Sequence, residues 1–166
     1  MNRLLLTMLL VWTAVPAHAA GAGAMFGEGR NHFSLGAGNG YAFDKNYFVF
    51  GASATHYVSD GLGVGLAVEN WSGSGPGITK YSPFMQYVFV QASSVQPYVG
   101  GFYRHTAIAG LPAINSIGGR AGIYSAAARN AYVSAGIVHE TYLDCQAALY
   151  VKCSETYPEI SVTFGF

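Results

Sequence analysis

Large apolar and small residues alternate without a break at the carboxyl end of the chain. The residues of one parity are large and apolar, namely Ile160, Val162, Phe164 and Phe166. Those of the other parity are small or polar, namely Glu159, Ser161, Thr163 and Gly165. Because successive side chains of a strand point to opposite faces, this pattern predicts a terminal β-strand with one apolar face.

The same alternation predicts seven earlier strands. The eight predicted strands cover residues 32–41, 47–58, 62–69, 81–90, 97–106, 117–124, 131–140 and 157–166. Turns are predicted at Asp44-Lys45-Asn46, Ser59-Asp60-Gly61, Gln91–Gln96 and Arg129-Asn130. Longer loops are predicted at Ser72–Lys80, Ala107–Asn115 and Leu143–Thr156. These strands have roughly the 9–11 residues that a tilted membrane-spanning strand requires.

The residues on the two faces of the predicted strands indicate which face points into the barrel and which points outward. A soluble β-sandwich or lipocalin-like barrel would place the large apolar residues inside. Here the opposite face is repeatedly Gly, Ser and Ala, which suits the narrow interior of an eight-stranded barrel. The predicted fold class is therefore all-β, an eight-stranded antiparallel up-and-down transmembrane β-barrel, with Val64, Leu66 and Ile160 facing lipid.

The amino terminus has the pattern of an export signal. Arg3 precedes an apolar run from Leu4 to Val15, and Ala17-His18-Ala19 is a small-x-small cleavage site. The run is shorter than the ~20 residues of a spanning helix. We therefore expect residues 1–19 to be a signal peptide and residues 20–166 to form the barrel, with Gly21–Arg30 as a short periplasmic lead-in.

The amino-acid composition limits the classes of function that fit the chain. Charged residues make up 10% of the chain, against ~25% in soluble globular domains, whereas there are 22 Gly and 12 Tyr. Residues 20–166 carry seven basic and eight acidic side chains, a net charge of −1. The sequence contains no basic patch that would predict a nucleic-acid partner, and no motif that would predict a metal or cofactor. Export to an oxidising compartment predicts a disulfide between Cys145 and Cys153, with two free thiols as the alternative.

The chain resembles the small outer-membrane barrels of the OmpA, OmpX and opacity-protein kind. The resemblance is carried by Tyr57–Leu66 and by Ser161–Phe166, with Phe164 and Phe166 as the assembly signal. It implies a porin-like monomer in the outer membrane of a Gram-negative bacterium, inserted by the barrel-assembly machinery among lipids and lipopolysaccharide. A structural role, or binding of a host or surface ligand through the outer loops, would be typical of that family.

Five charged residues fall on the predicted inward face: Glu69, Arg104, Arg120, Glu140 and Glu159. An unpaired charge in a narrow lumen is costly, so we expect these residues to pair across the barrel. The favoured interpretation is a plug of salt bridges. The alternative is a narrow channel for small solutes.

Two further constellations have alternative interpretations. His139 and Thr141, with Glu155, are similar to the His-x-Ser and later Glu of lipid A deacylase barrels, although Thr replaces Ser. The alternative interpretation is that these are polar residues at the membrane interface.

Aromatic residues at predicted strand ends favour membrane-interface girdles, with a sugar-binding platform as the alternative. This aromatic set comprises Tyr41, Tyr47, Phe48, Tyr57, Trp71, Tyr81, Tyr87, Tyr103, Tyr142 and Tyr157.

Overall fold

The computed structural model describes residues 25–91, 95–143, 145 and 153–166, so the predicted signal peptide lies outside the described residues. Eight antiparallel strands close into one barrel in chain order. They are β1 (Asn31–Ala42), β2 (Lys45–Ser59), β3 (Leu62–Gly73), β4 (Ile78–Val88), β5 (Val95–Ile108), β6 (Leu111–Ala128), β7 (Ala131–Tyr142) and β8 (Ser154–Gly165). No helix in the described residues is long and apolar enough to cross a bilayer.

The up-and-down order gives the barrel two distinct ends. The end that holds the start of β1 and the finish of β8 is called the terminal end here. It also carries the turn Asp60-Gly61, the connection 89–94 and the turn Arg129-Asn130. The opposite, loop end carries the turn Phe43-Asp44, the connection 74–77, the turn Ala109-Gly110 and the connection 143–153.

Large apolar side chains lie on the outside of the wall. Ile160, Ile137 and Leu66 are 69%, 60% and 51% exposed, and Val64 is 40% exposed. Small polar residues occupy inward positions, where Ser134, Thr163 and Thr55 are buried. This arrangement confirms the predicted fold and its inside-out chemistry, because a soluble barrel would bury the aliphatic face instead.

Two predicted loops are shorter than the sequence indicated. The strands continue through most of Ser72–Lys80 and Ala107–Asn115, so the connections there are only 74–77 and Ala109-Gly110. Gly110 takes a φ of +76°, which permits a tight turn, and Pro112 lies where the β5–β6 register shifts. A proline at such an irregularity removes no regular ladder bond. The predicted longer loops at Ser72–Lys80 and Ala107–Asn115 are therefore wrong; of the three predicted loops, only the connection 143–153 is long.

Candidate functional site in the barrel lumen

A buried aromatic cluster lies at the terminal end of the lumen. Phe26 is fully buried, and its ring centroid lies 5.1 Å from Tyr124 and 5.2 Å from Tyr132. His32 and Tyr57 complete the ring of contacts at 5.1 and 5.7 Å. The segment predicted as a periplasmic lead-in therefore crosses the barrel mouth. Phe26 escaped sequence reasoning because it lies in a Gly- and Ala-rich stretch without alternation.

Backbone hydrogen bonds hold this segment against the wall. The Phe26 carbonyl accepts from the Gly61 N–H at 2.8 Å, and the Gly29 N–H donates to the Tyr57 carbonyl at 2.8 Å. The Glu28 N–H also donates to Asp60 Oδ1 at 3.0 Å. Because these bonds tie the segment to the end of β2 and the β2–β3 turn, Phe26 is fixed as a floor beneath the lumen.

One guanidinium joins five strands across the lumen, in the loop-end half of the barrel. Arg104 of β5 donates to Glu140 at 2.6 Å, to Glu69 at 3.0 Å, to Ser82 at 2.9 Å and to Tyr157 at 2.6 Å. Arg104 and Glu140 are both nearly fully buried. Multiple charge-assisted bonds of this kind are what a buried ion pair needs to offset its desolvation. Three of the predicted lumen charges are thus brought together at one site.

The other two predicted lumen charges meet loosely. Arg120 Nη1 lies 3.9 Å from Glu159 Oε1, beyond hydrogen-bond distance. The Arg120 guanidinium instead stacks 4.7 Å from the ring centroid of Phe84 and 5.5 Å from that of Phe102. Glu159 accepts a hydrogen bond from the Tyr98 hydroxyl at 2.9 Å. Within the described residues the buried Nε of Arg120 has no partner.

Lys80 is a lumen charge that the sequence analysis missed. Lys80 lies directly opposite Glu69 in the β3–β4 register, and its Nζ sits 4.1 Å from the ring centroid of Trp71. The Gly/Ser/Pro composition of the preceding residues suggested a loop there. Counting back by twos from the inward Gln86 would have placed Lys80 on the inner face.

A cavity of about 450 Å³ lies inside the barrel, along β1 and β8. The inner face of β1 contributes almost no side-chain volume there, because Gly36, Gly38 and Gly40 occupy it. The charged groups in its lining include Arg120, Glu159, Arg104, Glu69, Lys80 and Glu155. The cavity therefore combines an empty strand face with a strongly polar opposite wall.

The deacylase-like residues do not come together. His139 Nδ1 lies 2.8 Å from Thr156 Oγ1, not beside Thr141, and both partners are exposed on the outer wall. Glu155 lines the internal cavity and pairs in register with the inward Glu140. Strand parity places the carboxylate and the histidine on opposite faces, so Glu155 cannot orient His139.

Five of the ten aromatic residues predicted to form membrane-interface girdles point into the lumen instead. Tyr47 and Tyr57 are 1% and 0% exposed, Trp71 packs against an internal cluster, and Tyr157 and Tyr142 share the inward parity of Glu140 and Glu159. The remaining aromatics of the set are exposed on the outer wall: Tyr41, Phe48, Tyr81, Tyr87 and Tyr103. Position near a strand end did not decide the face; parity did.

The predicted disulfide is present. Cys145 and Cys153 are joined, with a Cα–Cα distance of 5.5 Å. The Tyr142 N–H donates to the Cys153 carbonyl at 2.9 Å, so the bridge lies directly beyond the paired ends of β7 and β8. It closes the connection 143–153, most of which lies outside the described residues.

Comparison with known proteins identifies the fold. No protein-family model and no curated protein sequence matches the chain. The N-terminal β-barrel domain of Pseudomonas aeruginosa OprF superposes with a TM-score of 0.67 at 16% identity, covering 84% of this chain and 99% of that one. Neisserial surface protein A gives 0.53 at 16% identity, covering 82% and 96%. The outer membrane protein OprG from Pseudomonas aeruginosa gives 0.50 at 12% identity, covering 84% and 97%. The chain therefore has the fold of the small eight-stranded barrels of bacterial outer membranes.

Proposed function

We propose that the chain is a small barrel of the bacterial outer membrane with a structural or surface-interaction role, whose lumen does not conduct solutes. Membrane placement is supported by the apolar outer wall, where residues such as Ile137 and Ile160 are more than half exposed. Leaving so large an apolar surface in water would be unfavourable, whereas a bilayer solvates it.

The observation that carries the non-conducting role is the Arg104 network. Its hydrogen bonds run from β5 to β3, β4, β7 and β8, so they cross the lumen rather than line one side of it. An eight-stranded barrel has little interior space beyond its own side chains. Below the network, the fully buried Phe26 closes the terminal end.

A surface role is supported by the connection 143–153, which is the longest at the loop end and is closed by the disulfide. A cross-link of this kind reduces the conformations open to the connection and so favours a defined binding shape. Cell-binding assays on the wild type and on a Cys145→Ser/Cys153→Ser variant test this part of the proposal. Equal binding by both would remove the disulfide-shaped connection as the interaction surface.

Conductance in planar bilayers tests the lumen. The wild-type protein is expected to insert without producing steady current steps, while a general porin in the same bilayer serves as the positive control. A Phe26→Ala/Arg104→Ala variant removes both obstructions and is expected to conduct. Steady conductance by the wild type, absent from a mock preparation lacking the protein, would overturn the proposal in favour of the narrow channel.

A further inference from the structure

The seam between β1 and β8 is paired over only a third of its length. Its register consists of four pairs, from His32↔Gly165 to Leu35↔Val162, although both strands continue beyond them toward the loop end. By contrast, the β1–β2 register continues to Ala42↔Lys45. Throughout the described parts of β1 and β8, residues beyond Leu35 and Val162 form no ladder with each other.

Pro158 removes one backbone donor from the unpaired part of the seam. Asn31 and Phe166 exchange both backbone hydrogen bonds, at 3.2 and 3.0 Å, so every second pair from there would do the same. Continued register would make Asn39 and Pro158 such a pair, and proline has no N–H to donate. On its other edge Pro158 stays in register with Ile137 of β7. The missing donor therefore faces β1 alone.

The cavity reaches this unpaired seam. Consecutive residues of β1, from Ser34 to Tyr41, and of β8, from Tyr157 to Ser161, line it, so both wall faces of the two strands border the space. A Cβ built on Gly38 would meet no heavy atom within 4 Å. Unpaired backbone is tolerated at membrane depth only where it lines a cavity or is covered. Because residues of both parities on both strands line it, the cavity opens to the outer face of the wall at this seam.

Arg120 supplies the charge that an occupant would meet. Its guanidinium has five N–H donors, yet no hydrogen bond from it reaches any described residue, and Glu159 stays 3.9 Å away. Lys80, which also lines the cavity, forms no ion pair within 4 Å in the described part of the chain. Guanidinium groups bind carboxylates and phosphates through paired N–H donors. The cavity thus presents two incompletely partnered cations.

We propose that this cavity binds the oxyanion head group of a single-chain amphiphile, whose alkyl chain leaves through the β1–β8 seam into the bilayer. The outward residues beside the opening, Leu35, Ala37 and Ile160, are apolar and suit the chain. A volume of about 450 Å³ is at the lower end of the ~300–1,000 Å³ of ligand pockets. The proposal rests on the membrane placement proposed above, but not on the absence of conductance.

Trp71 provides the readout. It lines the cavity and is the single tryptophan of residues 20–166, since the other, Trp12, lies in the predicted signal peptide. Protein purified from membranes after export is titrated in detergent micelles with stearate brominated along its chain, because bromine quenches indole on contact. Saturable quenching is expected. Phosphatidylcholine brominated to the same bromine content has two chains, so it is expected to leave the inward-facing Trp71 unquenched.

Three variants locate the site. Arg120→Gln is expected to weaken binding about tenfold or more, since a charge-assisted pair is lost. Gly38→Leu fills the open space at the seam and is expected to abolish saturable quenching. Gly101→Leu places the same side chain on the outer face of β5, where a Cβ meets nothing closer than 3.7 Å, and is expected to bind as the wild type. Circular dichroism verifies that each variant is folded.

The outcomes separate the sources of the head group. Displacement by palmitate alone assigns a carboxylate, and displacement by lysophosphatidate as well assigns a general oxyanion site; either supports the proposal. Quenching that rises linearly without saturation, or that brominated phosphatidylcholine reproduces, overturns it. Folded Arg120→Gln and Gly38→Leu proteins that bind as tightly as Gly101→Leu also overturn it. A conducting wild type that binds stearate would reject the proposed plug and leave this site in place.

Discussion

Glu140 holds Arg104 through a hydrogen bond of 2.6 Å while its other carboxylate oxygen accepts from the Ser116 hydroxyl at 2.5 Å. The two charged residues come from β7 and β5, with Ser116 on the strand between them. Tyr157 donates to the same oxygen of Glu140 as Arg104, at 2.9 Å. Each charge is thus surrounded by partners, which is the condition under which a buried pair orders an interior instead of destabilising it.

Arg104→Met should therefore destabilise the barrel far more than Arg120→Met. The first change leaves Glu69 and Glu140 without their cation, and breaking a buried pair in this way costs about 3–5 kcal/mol. The second removes a guanidinium that makes no hydrogen bond to described residues, so we expect a loss below about 1.5 kcal/mol. The free energy of unfolding, measured by urea titration in detergent micelles, compares them. Equal losses of unfolding free energy in the two variants would show that the hydrogen bonds of Arg104 stabilise the barrel no more than the 3.9 Å contact between Arg120 and Glu159 does.

Parity along the strands was sufficient to predict which residues face the lumen, including Arg104, Glu140 and Glu159. It could not predict that Arg104 contacts four other strands while Arg120 contacts none by a hydrogen bond. That difference depends on strand tilt and relative height in the closed barrel, which neither strand encodes alone. Lys80 was missed because local Gly and Pro composition outweighed parity.

The position of Phe26 and the open seam between β1 and β8 could not be predicted from the sequence pattern either. Phe26 belongs to no alternating segment, and its burial arises from the backbone bond to Gly61 across the barrel mouth. The open seam depends on whether β1 and β8 pair, and this is a property of closure. Pro158 was visible in the sequence, but its consequence depends on which neighbour its missing N–H faces.

The turn Phe43-Asp44 offers a stabilising substitution. Both residues have positive φ, 51° and 56°, in a two-residue hairpin connection that Asn-Gly fits best. The sequence had placed this turn at Asp44-Lys45-Asn46, two residues too late at its end, because polarity marked it rather than φ. A Phe43→Asn/Asp44→Gly variant should gain about 1 kcal/mol in the urea assay, since left-handed conformations strain ordinary side chains.

The turn Arg129-Asn130 gives the matched control for that variant. Neither residue has a positive φ, so Arg129→Asn/Asn130→Gly should not stabilise the protein. A comparable gain at both turns would mean that composition of the dipeptide, and not relief of strain at Phe43 and Asp44, produces the effect.

Reduction of the disulfide should lower stability moderately. Cys145 and Cys153 are eight positions apart, and chain-entropy arguments give about 2.5 kcal/mol for so short a closed segment. Urea titrations with and without reductant measure the change. The Cys145→Ser/Cys153→Ser variant should be insensitive to reductant and should match the reduced wild type. If reductant also lowered the unfolding free energy of that variant, the effect would not come from this disulfide.

The last prediction concerns two neighbouring glycines on the inner face of β1. A Cβ built on Gly40 would lie 2.4 Å from the ring of Trp71, whereas one built on Gly38 meets nothing within 4 Å. Gly40→Ala must therefore displace the indole, which also sits against Lys80 and donates to Glu69 at 3.3 Å. We expect the Trp71 emission to change in wavelength and intensity in Gly40→Ala. Gly38→Ala should leave the emission unchanged, because the added methyl enters empty space two residues away. Unchanged emission in both proteins would show that Trp71 does not pack on β1, and would remove the indole as a boundary of the cavity.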